Sequence, residues 1–194
     1  MDLRRLWYVT RKYSRLQGLR LLPFSVLLIL STAWREGWIR LPGDESPRMA
    51  ALWFVVGLGI AGAAGGRVVR WYRRVYGENE QKSGHSLAPQ VAIALVCLPI
   101  LVEIQQRWAL PFSLPIATLA AVVAAYGAAD YPLRRHYLAA ALTLYAYVLL
   151  PALGVDAPIR HLLFPALMGL ALAIAAIGDH RLIATTLERT PTDV

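Results

Sequence analysis

Charged residues and cysteines are scarce in this sequence. Only 16% of its 194 residues are charged, whereas 57% are hydrophobic. Soluble domains usually carry about 25% charged residues, so the composition argues against a soluble protein. Cys97 has no second cysteine with which to pair, and this excludes an intramolecular disulfide.

Recognised catalytic motifs are missing as well. The chain has no HExxH, no P-loop, no GxSG nucleophile motif and no paired-aspartate motif of a phospholipid synthase. The SGH at 83–85 resembles the middle motif of phosphatidic-acid phosphatases, but the basic motif before it and the arginine-histidine motif after it are lacking. These absences favour a protein that is not an enzyme, and we predict no cofactor and no metal site.

Long apolar stretches take up most of the chain. Each approaches the roughly 20 residues that a helix needs to cross a bilayer core about 30 Å thick. Backbone groups in lipid must be satisfied within the segment, and no alternating pattern supports a barrel. The sequence therefore predicts one all-α, polytopic membrane domain over residues 1–194, with six transmembrane helices at 19–34, 49–66, 87–104, 109–129, 137–155 and 162–178. Because the predicted fourth span contains Pro111 and Pro115 near its start, its helix could instead begin near Pro115.

Basic residues orient this predicted domain. If the N-terminus is cytoplasmic, fifteen of the twenty lysines and arginines fall on the inside and five on the outside. Short cytoplasmic loops are enriched in such residues, so both termini are predicted inside, in a multi-pass protein of the cell (inner) membrane. The formal charge of +8 is thus spread over loops instead of one soluble unit, which argues against nucleic-acid binding.

Two basic segments have amphipathic patterns. Residues 67–77 continue the second span as a cytoplasmic helix extension, and residues 1–18 form an interfacial helix. Their arginines suit anionic lipid headgroups, and their aromatic residues suit the headgroup layer. A protein partner, cytoplasmic or in the membrane, is the alternative. The candidate lipid- or partner-binding residues are Arg11, Arg15, Arg67, Arg70, Trp71 and Arg74.

Small residues recur at four-residue spacing in the even-numbered spans. Such residues let membrane helices approach closely, so the second, fourth and sixth helices are predicted to form the packed centre. A proline before each even span and a glycine near its end also suggest three related helical hairpins. The small residues are Gly57, Ala61 and Gly65, then Ala117, Ala121, Ala125 and Ala129, then Gly169 and Ala173.

Ionisable and polar groups in or beside the spans are the candidate ligand-binding residues, because burying them in lipid is costly. Glu103 precedes Arg107 by four residues, the favourable order for a helical ion pair, with either a structural or a ligand-binding role. A pocket between proline-broken helices is predicted near Thr143, Tyr145 and Tyr147. The cytoplasmic ends of the spans predict a proton-linked or anion-binding vestibule of His85, Asp130, Arg134, Arg135, His136, Asp179 and His180.

The layout, six spans with both termini inside, is similar to that of the substrate-binding membrane subunits of energy-coupling-factor vitamin transporters. Their first-helix docking motif, two alanines separated by three residues, is absent from LRLLPFSVLLILSTAW. The ending IGDHRL, together with YRRVYG, resembles small uncharacterised bacterial six-helix membrane proteins. The first resemblance implies a transport component whose ATPase, if it uses one, is a separate polypeptide.

Two functions remain open from the sequence. One is a transport component, either a small solute carrier or a membrane subunit of a multi-protein transporter. The other is a non-transporting scaffold or sensor that recruits a cytoplasmic partner through its basic surface. Association with further copies of the same chain fits either function.

Overall fold

The computed structural model describes residues 7, 9, 18–43, 46–76, 88–129 and 131–187. These residues form helices and turns and no β-strand, so the predicted all-α class is confirmed for them. A 3-10 turn at Gly18–Leu21 leads into the first helix. The described residues contain six α-helices: α1 (Leu22–Arg35), α2 (Pro47–Tyr76), α3 (Ala88–Arg107), α4 (Leu114–Ala129), α5 (Arg135–Leu149) and α6 (Ala157–Leu187).

The start of α4 follows the alternative that its prolines leave open. The sequence predicts a span over 109–129, but α4 begins at Leu114, with Pro115 in its first turn. Proline is tolerated there because the first backbone N–H groups of a helix have no partner within the helix. The side-chain oxygen of Gln105 accepts the N–H of Leu114 at 2.9 Å. This bond closes a short connection between α3 and α4.

The later spans also differ from their predicted limits. The predicted span 137–155 is too long, since α5 ends at Leu149. Pro151 has no backbone N–H with which to continue the helix, and Gly154 has a left-handed backbone with φ 73°. By contrast, α6 passes through Pro165 and continues beyond the predicted end at residue 178 to Leu187. The last nine residues of α6, which include polar residues, therefore extend the helix beyond its apolar stretch.

The packing order of the helices differs from the predicted one. Among the described residues, the main contacts run in the order α2, α1, α6, α5, α4, α3. The sixth helix is central, as predicted, but α1 and α5 flank it, and α2 lies near one edge. The expectation that α2, α4 and α6 form the centre is therefore wrong for α2. The consecutive pairs α1–α2, α3–α4 and α5–α6 each pack together, and contacts of α1 with α6 and of α4 with α5 join the pairs. That the three pairs are related hairpins stays a prediction.

The small residues of α2 do permit close helix contact, but with α1. A Cβ built on Gly65 would lie 2.8 Å from the carbonyl oxygen of Arg20, and one on Gly57 would lie 2.7 Å from Leu27. The bulky side chain of Leu27 in α1, and the backbone of the turn that precedes α1, thus fill the space that the small residues of α2 leave. The alternation along the sequence of spans rich in bulky residues and spans rich in small residues therefore indicates that a bulky helix packs against a small-residue helix.

The predicted face of α4 is wrong. Ala121, Ala125 and Ala129 are exposed, whereas Ala120 and Gly127 are buried. This helix is apolar on every side, so hydropathy carries no information about which side its neighbours cover. The face of α4 that packs against α5 and α6 is the one that carries Ala120.

Large apolar side chains lie on the outside of this bundle. Val55, Ile60, Val122 and Leu142 are each at least 60% exposed. Among the described residues, three helical segments are long and apolar enough to cross a membrane, namely Gly18–Arg35, Arg48–Tyr76 and Ala157–Leu187, and Leu114–Ala129 is a shorter apolar helix. Many buried positions are instead small or polar, among them Ser25, Ala120, Ala140, Ala141, Ala171, Ala175, Ala176 and Asp179. An apolar exterior around a partly polar interior is typical of a protein in lipid.

A buried hydrogen bond joins α1 to α6. The hydroxyl of Ser25, 1% exposed, donates to the carbonyl oxygen of Gly169 at 2.7 Å. Gly169 makes this contact possible, because a Cβ there would lie 2.8 Å from the carbonyl oxygen of Ser25. Small residues and interhelical hydrogen bonds are the two devices that hold membrane helices together.

Replacing Ser25 with alanine is expected to lower the free energy of unfolding by about 1 kcal/mol, because it removes the hydrogen bond between α1 and α6. Unfolding in mixed micelles of dodecyl sulfate and a neutral detergent measures this change. Ser31→Ala is the matched control, since the Ser31 hydroxyl bonds only to Leu28 of its own helix. Equal stability of the two variants would show that the Ser25 bond contributes nothing.

Candidate functional site

The strongest candidate site lies where the start of α5 meets α6. His136 and Tyr137 are in the first turn of α5, and Asp179 faces them from α6. Asp179 is only 3% exposed. A carboxyl group buried to this degree needs hydrogen-bonding partners, because an uncompensated buried charge is strongly destabilising.

Both carboxylate oxygens of Asp179 have partners on α5. Oδ1 lies 2.9 Å from Nε2 of His136, and Oδ2 accepts a hydrogen bond of 2.7 Å from the Tyr137 hydroxyl. An ionised carboxylate can only accept, so Nε2 of His136 carries the proton in that state. In the alternative state Asp179 is protonated and donates to Nε2. The pair therefore shares one proton between an acid and a base at a buried position.

This geometry is possible because residue 178 is a glycine and has no side chain. A Cβ built on Gly178 would lie 2.6 Å from the Cβ of His136 and would overlap its imidazole ring. The ring thus lies directly on the backbone of α6, one residue before Asp179. The close approach fixes the imidazole against the helix that carries its partner.

A second polar pair joins α6 to the end of α2. Nδ1 of His180 lies 2.9 Å from the hydroxyl of Tyr72. Consecutive residues of an α-helix point about 100° apart. Asp179 is therefore turned toward α5 and His180 toward α2, so that one turn of α6 makes polar contacts with two other helices.

Val9, near the N-terminus, contacts the protein at this same end. Val9 is fully buried there, whereas Trp7 is 57% exposed. Interfacial placement of residues 1–18 is the prediction, but Val9 is covered by protein and not by lipid. Arg11 and Arg15 lie outside the described residues. The apolar cluster that includes Val9 consists of Val9, Tyr72, Leu182 and Ile183.

Arg134 places a buried positive charge beside the site. The residue is 1% exposed, and its guanidinium carbon lies 4.0 Å from the ring centroid of Tyr126 and 5.7 Å from that of Tyr137. Such distances allow cation–π attraction. Tyr137 therefore interacts with a cation through its ring and with the Asp179 carboxylate through its hydroxyl.

Part of the predicted vestibule comes together. His136 and Asp179 are in contact, and Arg134 lies beside them. His180 belongs instead to the pair with α2, and Arg135 is exposed. The predicted members outside the described residues are His85 and Asp130.

The predicted pair of Glu103 and Arg107 forms at the opposite end of the bundle. Nε of Arg107 donates to Oε1 of Glu103 at 2.8 Å, and the two side chains are 74% and 57% exposed, respectively. An ion pair this exposed contributes little to stability where water surrounds it. A ligand-binding role for these two residues stays a prediction.

The polar residues predicted to line a pocket on α5 lie on two sides of that helix. Thr143 and Tyr147 are four residues apart and share a face, while Tyr145 points the other way. Thr143 bonds to the carbonyl oxygen of Ala139 at 3.0 Å, and the ring of Tyr147 lies 5.3 Å from that of Phe164. Tyr145 packs beside the buried cluster of α4, α5 and α6. Ligand binding by these residues stays a prediction too.

The basic extension of α2 has the predicted orientation. The helix runs unbroken to Tyr76, and Arg67, Arg70 and Arg74 are exposed. Tyr72 is buried on the other side, and Val68 packs with it. The helical pattern of residues 67–77 also predicts Val75 on this apolar side, but Val75 is 52% exposed. Gly77 lies outside the described residues.

Sequence reasoning missed the tyrosines of the site. Tyr72 and Tyr137 each bond through the hydroxyl to an ionisable residue of α6, and Tyr126 covers Arg134. The available signal is that a buried tyrosine hydroxyl needs a partner. Tyr137 directly follows His136 at the start of α5, so the sequence places two polar side chains next to each other there.

The arrangement brings a basic and an acidic side chain together. The imidazole of His136 and the carboxyl group of Asp179 lie within hydrogen-bonding distance of each other at a buried position. In the described part of the chain, no three His, Cys, Asp or Glu side chains form a group able to hold a metal ion.

Comparisons of the chain with protein-family models, with curated proteins and with solved structures find no match.

Proposed function

We propose that all six helices cross a bilayer and that the protein is a component of a membrane transport system. Besides the three long helices, α3, α4 and α5 have 20, 16 and 15 residues. At about 1.5 Å per residue these helices measure roughly 30, 24 and 22 Å. The first matches the roughly 30 Å of a typical hydrocarbon core, and the two shorter helices require local thinning of the bilayer. The exposed apolar side chains of the bundle support this placement.

We place the end of the bundle that contains Asp179 in the cytoplasm, with the protein in the cell membrane. Among the described residues this end has one carboxyl group, that of Asp179, and eight arginines; the other end has three carboxyl groups and five arginines. Positive charge favours the cytoplasmic side. The eight arginines are Arg20, Arg67, Arg70, Arg73, Arg74, Arg134, Arg135 and Arg181.

The observation that carries the transport proposal is the buried contact of His136 and Tyr137 with Asp179. Ionisable groups inside a membrane bundle are costly, and proteins that retain them commonly use them in proton or substrate pathways. Gaining or losing a proton changes the charge of a cluster that links α5 to α6. Since His180 is the next residue of α6 and contacts Tyr72, the same turn also links to α2. Proton binding here is thus coupled to the packing of three helices.

A scaffold or sensor is the second candidate function. The exposed arginines of α2 favour it, because a basic surface attracts an acidic partner. A scaffold needs no movement of charge across the membrane, whereas a proton-linked transport component does. Measuring charge movement therefore separates the two functions.

A pH step applied to proteoliposomes on a solid-supported membrane tests the transport proposal. The wild-type protein is expected to give a transient current that Asp179→Asn abolishes. Asparagine keeps both hydrogen bonds, since its oxygen accepts from Tyr137 and its amide donates to Nε2 of neutral His136. The variant is therefore expected to fold but to lose the carboxyl proton carrier.

Asp156→Asn is the control for this experiment, because it removes an exposed carboxylate at the other end and is expected to leave the current unchanged. Steps in sodium, potassium and chloride concentration extend the test to other charged solutes. Currents equal to those of empty liposomes in every case, from folded and inserted protein, would show that proton-linked transport is the wrong function. The scaffold would then be favoured.

A further inference from the structure

We infer that the extension of α2 binds the phosphate headgroups of anionic glycerophospholipids, with Arg67, Arg70 and Arg74 as the phosphate-binding residues. The inference requires that α2 crosses the bilayer, but not that the protein transports anything. The sequence alone allows either a lipid or a protein to bind these three arginines, and the inference selects lipid.

The position of the arginines along α2 matches the depth of the headgroup layer. The apolar part of the helix, residues 49–66, is about 27 Å long at 1.5 Å per residue, close to the thickness of the hydrocarbon core. Arg67 follows it directly. Arg70 lies about 4.5 Å and Arg74 about 10 Å farther along the helix axis. These distances cover the layer in which lipid phosphates are found.

The opposite side of the extension fixes which way the arginines point. Tyr72 is fully buried against Leu182 and Ile183 of α6, and its hydroxyl contacts His180. The extension cannot rotate about its axis without exposing Tyr72 and breaking that hydrogen bond. Arg67, Arg70 and Arg74 therefore stay on the outer side, where all three are exposed.

Charge at this end favours an anionic ligand. The sequence of α2 contains no Asp or Glu. Asp179, the one carboxyl group at this end among the described residues, is 3% exposed and bonded to α5. The arginine face is thus not neutralised by a described acidic side chain, and phosphate groups provide the complementary charge.

Trp71 adds the apolar contact that a lipid site needs. It lies between Arg70 and Arg74 in sequence and is 42% exposed. Its ring centroid is 5.1 Å from that of Tyr72 and 6.0 Å from that of Tyr76, so neighbouring rings hold it in place. Tryptophan is enriched at the membrane interface because its ring is apolar and its N–H is polar. An acidic protein domain, by contrast, would have to enter the headgroup layer to reach Arg67, and this is why we favour lipid.

Lipid binding to the purified protein in neutral detergent tests the inference. Phosphatidylglycerol or phosphatidylcholine is added in mixed micelles, and bound lipid is measured by native mass spectrometry. We expect wild-type protein to prefer phosphatidylglycerol, and Arg70→Gln/Arg74→Gln to weaken its binding about 30-fold, because each basic residue near an anionic surface contributes about fivefold. Arg70→Lys/Arg74→Lys is expected to retain most of the binding, since it keeps both charges.

The matched control is Arg40→Gln/Arg48→Gln, which removes two exposed arginines from the other end and is expected to leave affinity for phosphatidylglycerol unchanged. Circular dichroism melting checks that each variant is folded, and the single variant Arg70→Gln, with an expected fivefold loss, serves if the double variant is not. Equal loss in both double variants would overturn the inference. So would displacement of the lipid by inorganic phosphate at equal concentration, or tighter binding of an acidic peptide through the same arginines.

Discussion

Replacing Asp179 with alanine is expected to lower the free energy of unfolding by about 3 kcal/mol. The change removes a buried carboxyl group that bonds to His136 at 2.9 Å and to Tyr137 at 2.7 Å. Hydrogen bonds to charged groups contribute about 1.5–3 kcal/mol each, and removing one member of a buried pair leaves the other without compensation. Unfolding in mixed micelles of dodecyl sulfate and neutral detergent, followed by circular dichroism, measures the loss.

Two further variants separate the contributions of the two hydrogen bonds and of the carboxyl charge to this loss of stability. Tyr137→Phe removes one hydrogen bond and is expected to cost about 1–2 kcal/mol, while Asp179→Asn keeps both bonds and is expected to cost less than Asp179→Ala. Glu36→Ala, at an exposed acidic residue, is expected to change stability by about 0.5 kcal/mol or less. If Asp179→Ala were no more destabilising than Glu36→Ala, the carboxyl group would not hold α5 against α6.

The elements that sequence predicts best depend only on neighbouring residues. The basic extension of α2 is an example, because the spacing of Arg67, Arg70 and Arg74 specifies one helix face whatever the rest of the chain does. The burial of Tyr72 on the other side confirms it. The start of α4 near Pro115 also depends on local residues, but the sequence offers it only as an alternative to a start at residue 109.

The arrangement of the helices could not be predicted in the same way. Inside a membrane the apolar side of a helix is not the buried side, so the usual link between hydropathy and burial is lost. This is why the sequence selects Ala121 and Ala125 on α4 although Ala120 is the residue that packs. It also explains why the sequence assigns the small residues of α2 to the wrong neighbours, since Gly57 meets Leu27 of α1.

The candidate site was predictable in its ionisable residues and not in its geometry. His136 and Asp179 stand out because charged groups are rare beside apolar spans. Their contact joins residues 43 positions apart and depends on the order in which the helices pack. Gly178 carries no chemistry of its own, so a search for reactive groups ignores it. Yet the space that it leaves decides where the imidazole lies.

Replacing Gly178 with alanine is therefore expected to cost about 2 kcal/mol, although alanine favours helices over glycine by about 1 kcal/mol. The new Cβ would lie 2.6 Å from the Cβ of His136, so the imidazole must move away from Asp179 or the two helices must separate. Unfolding in mixed micelles measures the cost. Gly62→Ala is the matched control, because nothing lies within 4 Å of a Cβ at that position, and it is expected to be neutral or stabilising.

A double variant shows whether the Gly178→Ala effect arises from the imidazole. In a His136→Gly background both the imidazole and the Cβ that Gly178→Ala would overlap are gone, so adding Gly178→Ala is expected to cost little beyond the first change. Such a result gives an interaction energy of 1–2 kcal/mol between the two positions, as for residues in direct contact. Additive costs would mean that Gly178 matters for a reason other than His136. The imidazole would then not be fixed against α6 by this glycine, and the geometry that lets His136 and Asp179 share a proton would need another origin.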